Sequence, residues 1–102
     1  MPLHQFYQEH TKISSPDIML DVRNPDEFAS GHVSKAINIP LPELPHRIEE
    51  LKGFKNIYIY CKRGGRARTA FNFLEQSGLK GLVCIEDAGM DVWKESGYPL
   101  EY

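Results

Sequence analysis

The sequence is short of several residue types, and each shortage excludes something. It has two cysteines, Cys61 and Cys84, so a disulfide-dense scaffold is excluded and at most one bridge is available. Its four histidines, His4, His10, His32 and His46, are scattered. With no Cys-x-x-Cys and no His-x-x-x-His, a metal centre is not expected. No stretch approaches the ~18 apolar residues of a membrane helix, and the first residues lack a basic region followed by an apolar one. The expectation is a cytoplasmic protein with no membrane partner. Neither charge is in large excess, since 12 Lys+Arg against 14 Asp+Glu leave a formal charge of −2. That balance gives no reason to expect nucleic acid as a partner. No repeat, linker or low-complexity segment interrupts the chain, and 102 residues leave no room for a second core, so residues 1–102 read as one domain.

What is present concentrates around Tyr58-Ile59-Tyr60-Cys61-Lys62-Arg63-Gly64-Gly65-Arg66-Ala67-Arg68. A β-prone apolar run ends at Cys61, passes two glycines, and opens a stretch with helical spacing from Ala67. Gly64 and Gly65 are expected to supply the positive φ angles that a tight loop needs to turn its N–H groups inward. Inward N–H groups, a helix N-terminus and four nearby cations (Lys62, Arg63, Arg66 and Arg68) all favour an anionic sulfur. Cys61 is therefore the candidate nucleophile, and the local basic field points to a small anionic ligand. Cys84 sits in the apolar run Leu82-Val83-Cys84-Ile85 with no basic neighbour, and reads as a small buried hydrophobe.

Elements alternate along the chain. A short helix is expected over residues 2–10, then a loop over 11–16. Strands are expected over 17–22, 36–39, 56–60 and 82–85. Helices are expected over 41–52, 67–77 and 90–95, with a turn or short helix starting at Asn24-Pro25. Strand cores that are continuously apolar indicate a mostly parallel sheet covered on both faces. Ligands of such sheets sit beyond the C-terminal strand ends, where Cys61 falls.

The loop Cys61-Lys62-Arg63-Gly64-Gly65-Arg66 resembles the active-site loop of the rhodanese (thiosulfate sulfurtransferase) family. Leu20-Asp21-Val22-Arg23-Asn24-Pro25-Asp26-Glu27-Phe28 and Gly31-His32-Val33-Ser34-Lys35-Ala36-Ile37-Asn38-Ile39-Pro40 resemble its N-terminal signature. Gly89-Met90-Asp91-Val92-Trp93 with Gly97-Tyr98-Pro99 resembles its C-terminal one. The resemblance implies a small rhodanese-like α/β domain with a mostly parallel, four- to five-stranded sheet and helices on both faces. The family's first strand is expected to be reduced or absent here. It further implies a persulfide on Cys61, an active-site loop of Lys62, Arg63, Gly64, Gly65, Arg66 and Ala67, and no metal or cofactor. The implied partners are a thiosulfate-like donor and a cyanide or thiol acceptor, or a protein in either role. Two positions depart from the family pattern. Ala67 stands where a hydroxyl residue is common, and Met90 stands where a glycine often follows Gly89, so its side chain is expected to narrow the pocket mouth.

Bland readings compete at several residues. Arg23, Asp21 and Glu27 read as an internal ion-pair network, in which Arg23 is within reach of Glu27 or Asp21 holds backbone groups. His32 reads as a packed, hydrogen-bonded histidine and not a base, and Trp93 and Tyr98 as core or pocket edge. Arg66 is the strongest functional cation, with a fork suited to an oxyanion or to the loop's carbonyls. Sulfur transfer by Cys61 is the favoured activity. A persulfide carrier fed by a protein donor is the alternative. Phosphatase or arsenate reductase chemistry ranks lower, because its loop is one residue longer than the four residues separating Cys61 from Arg66.

Overall fold

A computed structural model describes residues 1–10, 15–85 and 89–102, with the backbone alone for residues 9 and 10. Helix α1 (Leu3–His10) precedes strand β1 (Ile18–Asp21), helix α2 (Pro25–Ala29) and strand β2 (Ile37–Asn38). Strand β3 (Ile57–Tyr60), helix α4 (Gly65–Gln76), strand β4 (Leu82–Cys84) and helix α5 (Met90–Glu95) follow. Between β2 and β3 lie a 3-10 turn (Leu41–Glu43), helix α3 (Leu44–Arg47) and a second 3-10 turn (Ile48–Leu51). The expected loop over residues 11–16 falls mostly outside the described residues.

The sheet has four strands in the order β2-β1-β3-β4, every pair parallel. In the register, Leu20 lies opposite Ile37 on one side and Ile59 on the other. Period-2 alternation then divides the side chains between two cores. Leu20, Ile57, Ile59 and Cys84 pack with Leu44, Leu51, Ala70 and Leu74 on the α3/α4 face. Met19, Tyr60 and Ile85 pack with Leu3, Phe6, Met90 and Trp93 on the α1/α5 face. Both faces are therefore covered. Cys61 continues the phase of Ile57 and Ile59, so its side chain faces the start of α4.

Two boundaries differ from expectation for identifiable reasons. The stretch 41–52 is not one helix. Pro42 and Pro45 each lack an N–H, and Pro45 falls where an uninterrupted helix would need a donor to the Leu41 carbonyl. Helix α4 starts at Gly65, two residues before Ala67, because Gly64 at φ 107° turns the chain and its carbonyl accepts the Arg68 N–H at 3.0 Å. That positive φ is where glycine is required, whereas Gly65, already the first residue of α4, does not take the positive φ expected of it. No helix of the described residues is long and apolar enough to cross a membrane.

Candidate active site

The loop from β3 to α4 closes on the sulfur of its own first residue. Gly64 N–H donates to Cys61 Sγ at 3.0 Å and Ala67 N–H donates to it at 3.3 Å. The Ala67 donor is available because the first-turn N–H groups of a helix have no intrahelical acceptor. The early start of α4 thus produces a ligand for the sulfur. No acidic residue occupies the first turn of α4, so the positive end of the helix remains directed to the thiol. Cys61 is only 1% exposed, and the Ala67 methyl is buried in the same core. A depression of about 380 Å³ above it is lined by Lys62, Arg63, Gly65 and Arg66.

A second chain segment locks the loop from behind. Met90 N–H donates to the Cys61 carbonyl at 2.8 Å, and Asp91 N–H donates to the Lys62 carbonyl at 3.3 Å. Gly89 permits this approach, since a Cβ there would overlap the Cys61 carbonyl oxygen and stand 2.7 Å from the Lys62 carbonyl carbon. The Met90 side chain is 1% exposed within the α1/α5 core. It lines a neighbouring depression and not the one over Cys61, so the expected narrowing of that mouth is not what its placement does.

The cations divide by partner. Arg66 forks onto Glu27, with Nη1 to Oε1 at 2.7 Å and Nη2 to Oε2 at 3.0 Å. Its fork is therefore engaged by a carboxylate, not by the loop's carbonyls. The Arg66 hydrogen bonds, aided by the Asn24 N–H at 2.9 Å, hold the Glu27 carboxyl down at about 2 against an ordinary 4.5. A cation in the first turn of a helix opposes the helix dipole, and Glu27 offsets that charge from α2. Arg63 is 79% exposed and meets Asp91 at 3.2 Å. Lys62 and Arg68 are exposed at the loop.

Arg23 does not reach Glu27. Its guanidinium grips Asp21, with Nη2 to Oδ2 at 2.7 Å, and donates to the Gly31 carbonyl at 2.8 Å. Both side chains are buried, so this is the internal network, with a different partner from the one expected. Tyr60, next to Cys61, accepts the Val33 N–H at 3.1 Å. Burial and the Asp21 charge hold its phenol well above the usual range. His32 stacks on Phe28 at 3.6 Å, its Nδ1 2.9 Å from the Phe28 carbonyl, which leaves it a packed histidine. Trp93 is buried, its indole N–H bonded to the Pro99 carbonyl at 2.7 Å. Cys84 is buried in the α3/α4 core. No cluster of potential metal ligands occurs among the described residues.

Sequence reading missed Glu27 as the partner of Arg66 and Asp91 as the partner of Arg63. The spacing Asn24-x-x-Glu27 was a signal that Glu27 turns back to cap α2, which carries its carboxylate toward the loop. Asp91 carried no comparable signal.

Fold and loop together define an α/β protein that presents a thiol, held by backbone amides, at the C-terminal edge of a parallel sheet. The rhodanese-like domain model matches residues 5–96, and the chain belongs to that family. It is 31% identical over 83 residues to a sulfurtransferase of Allochromatium vinosum, covering 81% of this chain and 77% of that protein. It is 33% identical over 94 residues to the chloroplastic thiosulfate sulfurtransferase 16 of Arabidopsis thaliana, covering 80% of this chain and 78% of the other. A Synechocystis protein, 34% identical over 83 residues covering 80% of this chain, is longer, and the match spans 45% of it. The crystal structure of a rhodanese-related protein from Thermoplasma volcanium superposes with a TM-score of 0.84 at 33% identity, covering 99% of this chain and 95% of that one. Family and relatives support a role in sulfur transfer.

Proposed function

We propose that the chain is a sulfurtransferase that moves a sulfane sulfur from thiosulfate or a similar donor to cyanide or a thiol through a persulfide on Cys61. The observation that carries this reading is the pair of N–H groups from Gly64 and Ala67 on Cys61 Sγ, beneath a depression rimmed by Lys62, Arg63 and Arg66. In the first half-reaction the Cys61 thiolate attacks the outer sulfur of thiosulfate. The donor's S–S bond breaks and sulfite leaves with the bonding pair. The cationic rim attracts the sulfonate end, with Lys62 the more available because Arg66 is engaged by Glu27 and Arg63 meets Asp91. In the second half-reaction the acceptor attacks the outer sulfur, the Cys61 Sγ–S bond breaks, and the thiolate returns to its N–H donors. Atoms and charge balance in both steps without a metal or organic cofactor.

Intact-protein mass spectrometry after incubation with thiosulfate tests this. One added sulfur, mapped to Cys61 and removed by cyanide with release of thiocyanate, is the expected result. Cys61→Ser should fold and take up none. Sulfur transfer that survives in that variant would refute the mechanism.

A further inference from the structure

Beside the depression over Cys61 lies a second one of about 210 Å³. Asp26 of α2 and Ser30, which caps that helix, line it, as do Met90, Asp91 and Lys94 of α5, and Lys62 of the loop. The two hollows share their boundary. Lys62 lines both. The Arg63–Asp91 and Arg66–Glu27 ion pairs each join a residue of the first hollow to a residue of the second. A molecule with its reacting atom above Cys61 therefore has this second hollow next to it.

The charged residues of the second hollow divide into engaged and unengaged groups. Arg23, Glu27 and Asp91 also line the hollow but are engaged, by Asp21, Arg66 and Arg63 respectively. Asp26, Lys62 and Lys94 make no side-chain hydrogen bond or ion pair among the described residues. Among the described residues, one carboxylate and two ammonium groups are thus left to face a ligand. They come from three different segments, so the hollow presents both signs from separate walls. The Lys94 stem runs beside Gly31, where a methyl group would come 3.4 Å from its Cε. That packing steadies the stem while the ammonium stays exposed. The volume lies below the ~300 Å³ at which pockets for drug-sized ligands begin, which suits a molecule of amino-acid size.

We infer that this second hollow is the acceptor subsite, and that the acceptor it takes is a small thiol carrying both an ammonium and a carboxylate. This rests on the sulfur-transfer reading above. The acceptor's ammonium would face Asp26 and its carboxylate Lys94 and Lys62, with the thiolate directed over the loop. The step balances: R–S⁻ attacks the outer sulfur of Cys61–Sγ–SH, an R–S–SH bond forms, the Sγ–S bond breaks, and Cys61 leaves as thiolate. No net oxidation occurs.

The test uses protein loaded from thiosulfate and freed of excess donor. Single-turnover unloading is followed by quenched intact mass at equal thiolate concentrations of cysteine, cysteamine, mercaptoacetate and 2-mercaptoethanol, with cyanide as a control. Each solvated charge contact is worth about two- to fivefold. Cysteine should therefore unload at a half-saturating concentration about five- to twentyfold below that of 2-mercaptoethanol, with the singly charged thiols between. Lys94→Glu should abolish the advantage of the carboxylate and make cysteamine the best thiol. Asp26→Asn should abolish the advantage of the ammonium. Unloading by cyanide should be unchanged in both variants. Equal half-saturation by all four thiols, or an unchanged order in Lys94→Glu, would overturn the subsite while leaving sulfur transfer standing. Failure of the parent protein to load any sulfur would overturn the sulfur-transfer reading, and the subsite with it.

Discussion

Replacing Glu27 by glutamine keeps the shape of the side chain and, in its remaining oxygen, the acceptor for the Asn24 N–H, but removes the charge that faces Arg66 and turns the acceptor of Arg66 Nη2 into an NH2 donor. The magnitude follows from the carboxyl's position at about 2 against an ordinary 4.5, a difference of about 2.5 units. At about 1.36 kcal/mol per unit that is a ceiling of about 3.4 kcal/mol. The side chains are 25% and 34% exposed, so solvent screening and side-chain entropy reduce it. An effect of about 1–2 kcal/mol at pH 7 is expected. For a chain of this size that is a Tm lower by roughly 5–10 °C.

The pH dependence has a definite sign. A carboxyl held below its ordinary value stabilises the fold fully above about 4.5, and that stabilisation drains away as pH falls toward about 2. Urea unfolding of parent and Glu27→Gln protein at pH 7, 5, 4 and 3 should therefore show a gap that is constant at the upper two values and shrinks at the lower two. A gap that is absent at pH 7 would show that the bidentate pair contributes nothing to the fold, and one that does not move with pH would show that the charge of Glu27 is not what stabilises it.

Other substitutions probe the remaining parts of the site. Cys84→Ser places a hydroxyl in an apolar core and should cost ~1–2 kcal/mol in urea unfolding while sulfur loading from thiosulfate is unchanged. A large loss of loading would mean that Cys84 takes part in transfer. Gly89→Ala forces a methyl group onto the Cys61 and Lys62 carbonyls and should cost ~1–3 kcal/mol, with slower loading because the loop must shift. Unaltered stability would show that α5 does not press on the loop. Arg63→Ala removes an exposed cation, so Tm should hold, but the KM for thiosulfate should rise about two- to fivefold at low salt and converge with the parent at high salt.

The chain dictates its local backbone closely. The run Ile57–Tyr60 is β-prone, Gly64 accepts a φ of 107° without strain, and the residues after it favour a helix. Together these place Cys61 between a strand end and a helix start, because each is decided by the covalent and steric properties of residues within a few positions. The alternation in β3 likewise decided that Cys61 would share a face with Ile57 and Ile59. The order of the three motifs was enough to state the family, and the alternation of elements was enough to state a parallel sheet. Even the broken stretch 41–52 was legible in Pro42 and Pro45, had their missing N–H groups been given more weight than the apolar stripe.

Side-chain partnership was not legible, and the reason is physical. An ion pair is decided by which ends of side chains meet, and with 12 cations and 14 carboxylates the sequence allows many pairings. Arg23 was within reach of Glu27 along the chain, yet it took Asp21, while Arg66 crossed 39 positions to Glu27. The strand order β2-β1-β3-β4 made that choice, since it sets β1 and β3 side by side and so brings α2 beside the start of α4. The same packing placed Gly89 and Met90 against the carbonyls of Cys61 and Lys62, a contact that no local pattern specifies. The sequence by itself determined that a thiol would sit at the head of a helix. The tertiary structure decided which charges remain free around it, because that depends on distances between segments that only the folded sheet brings together.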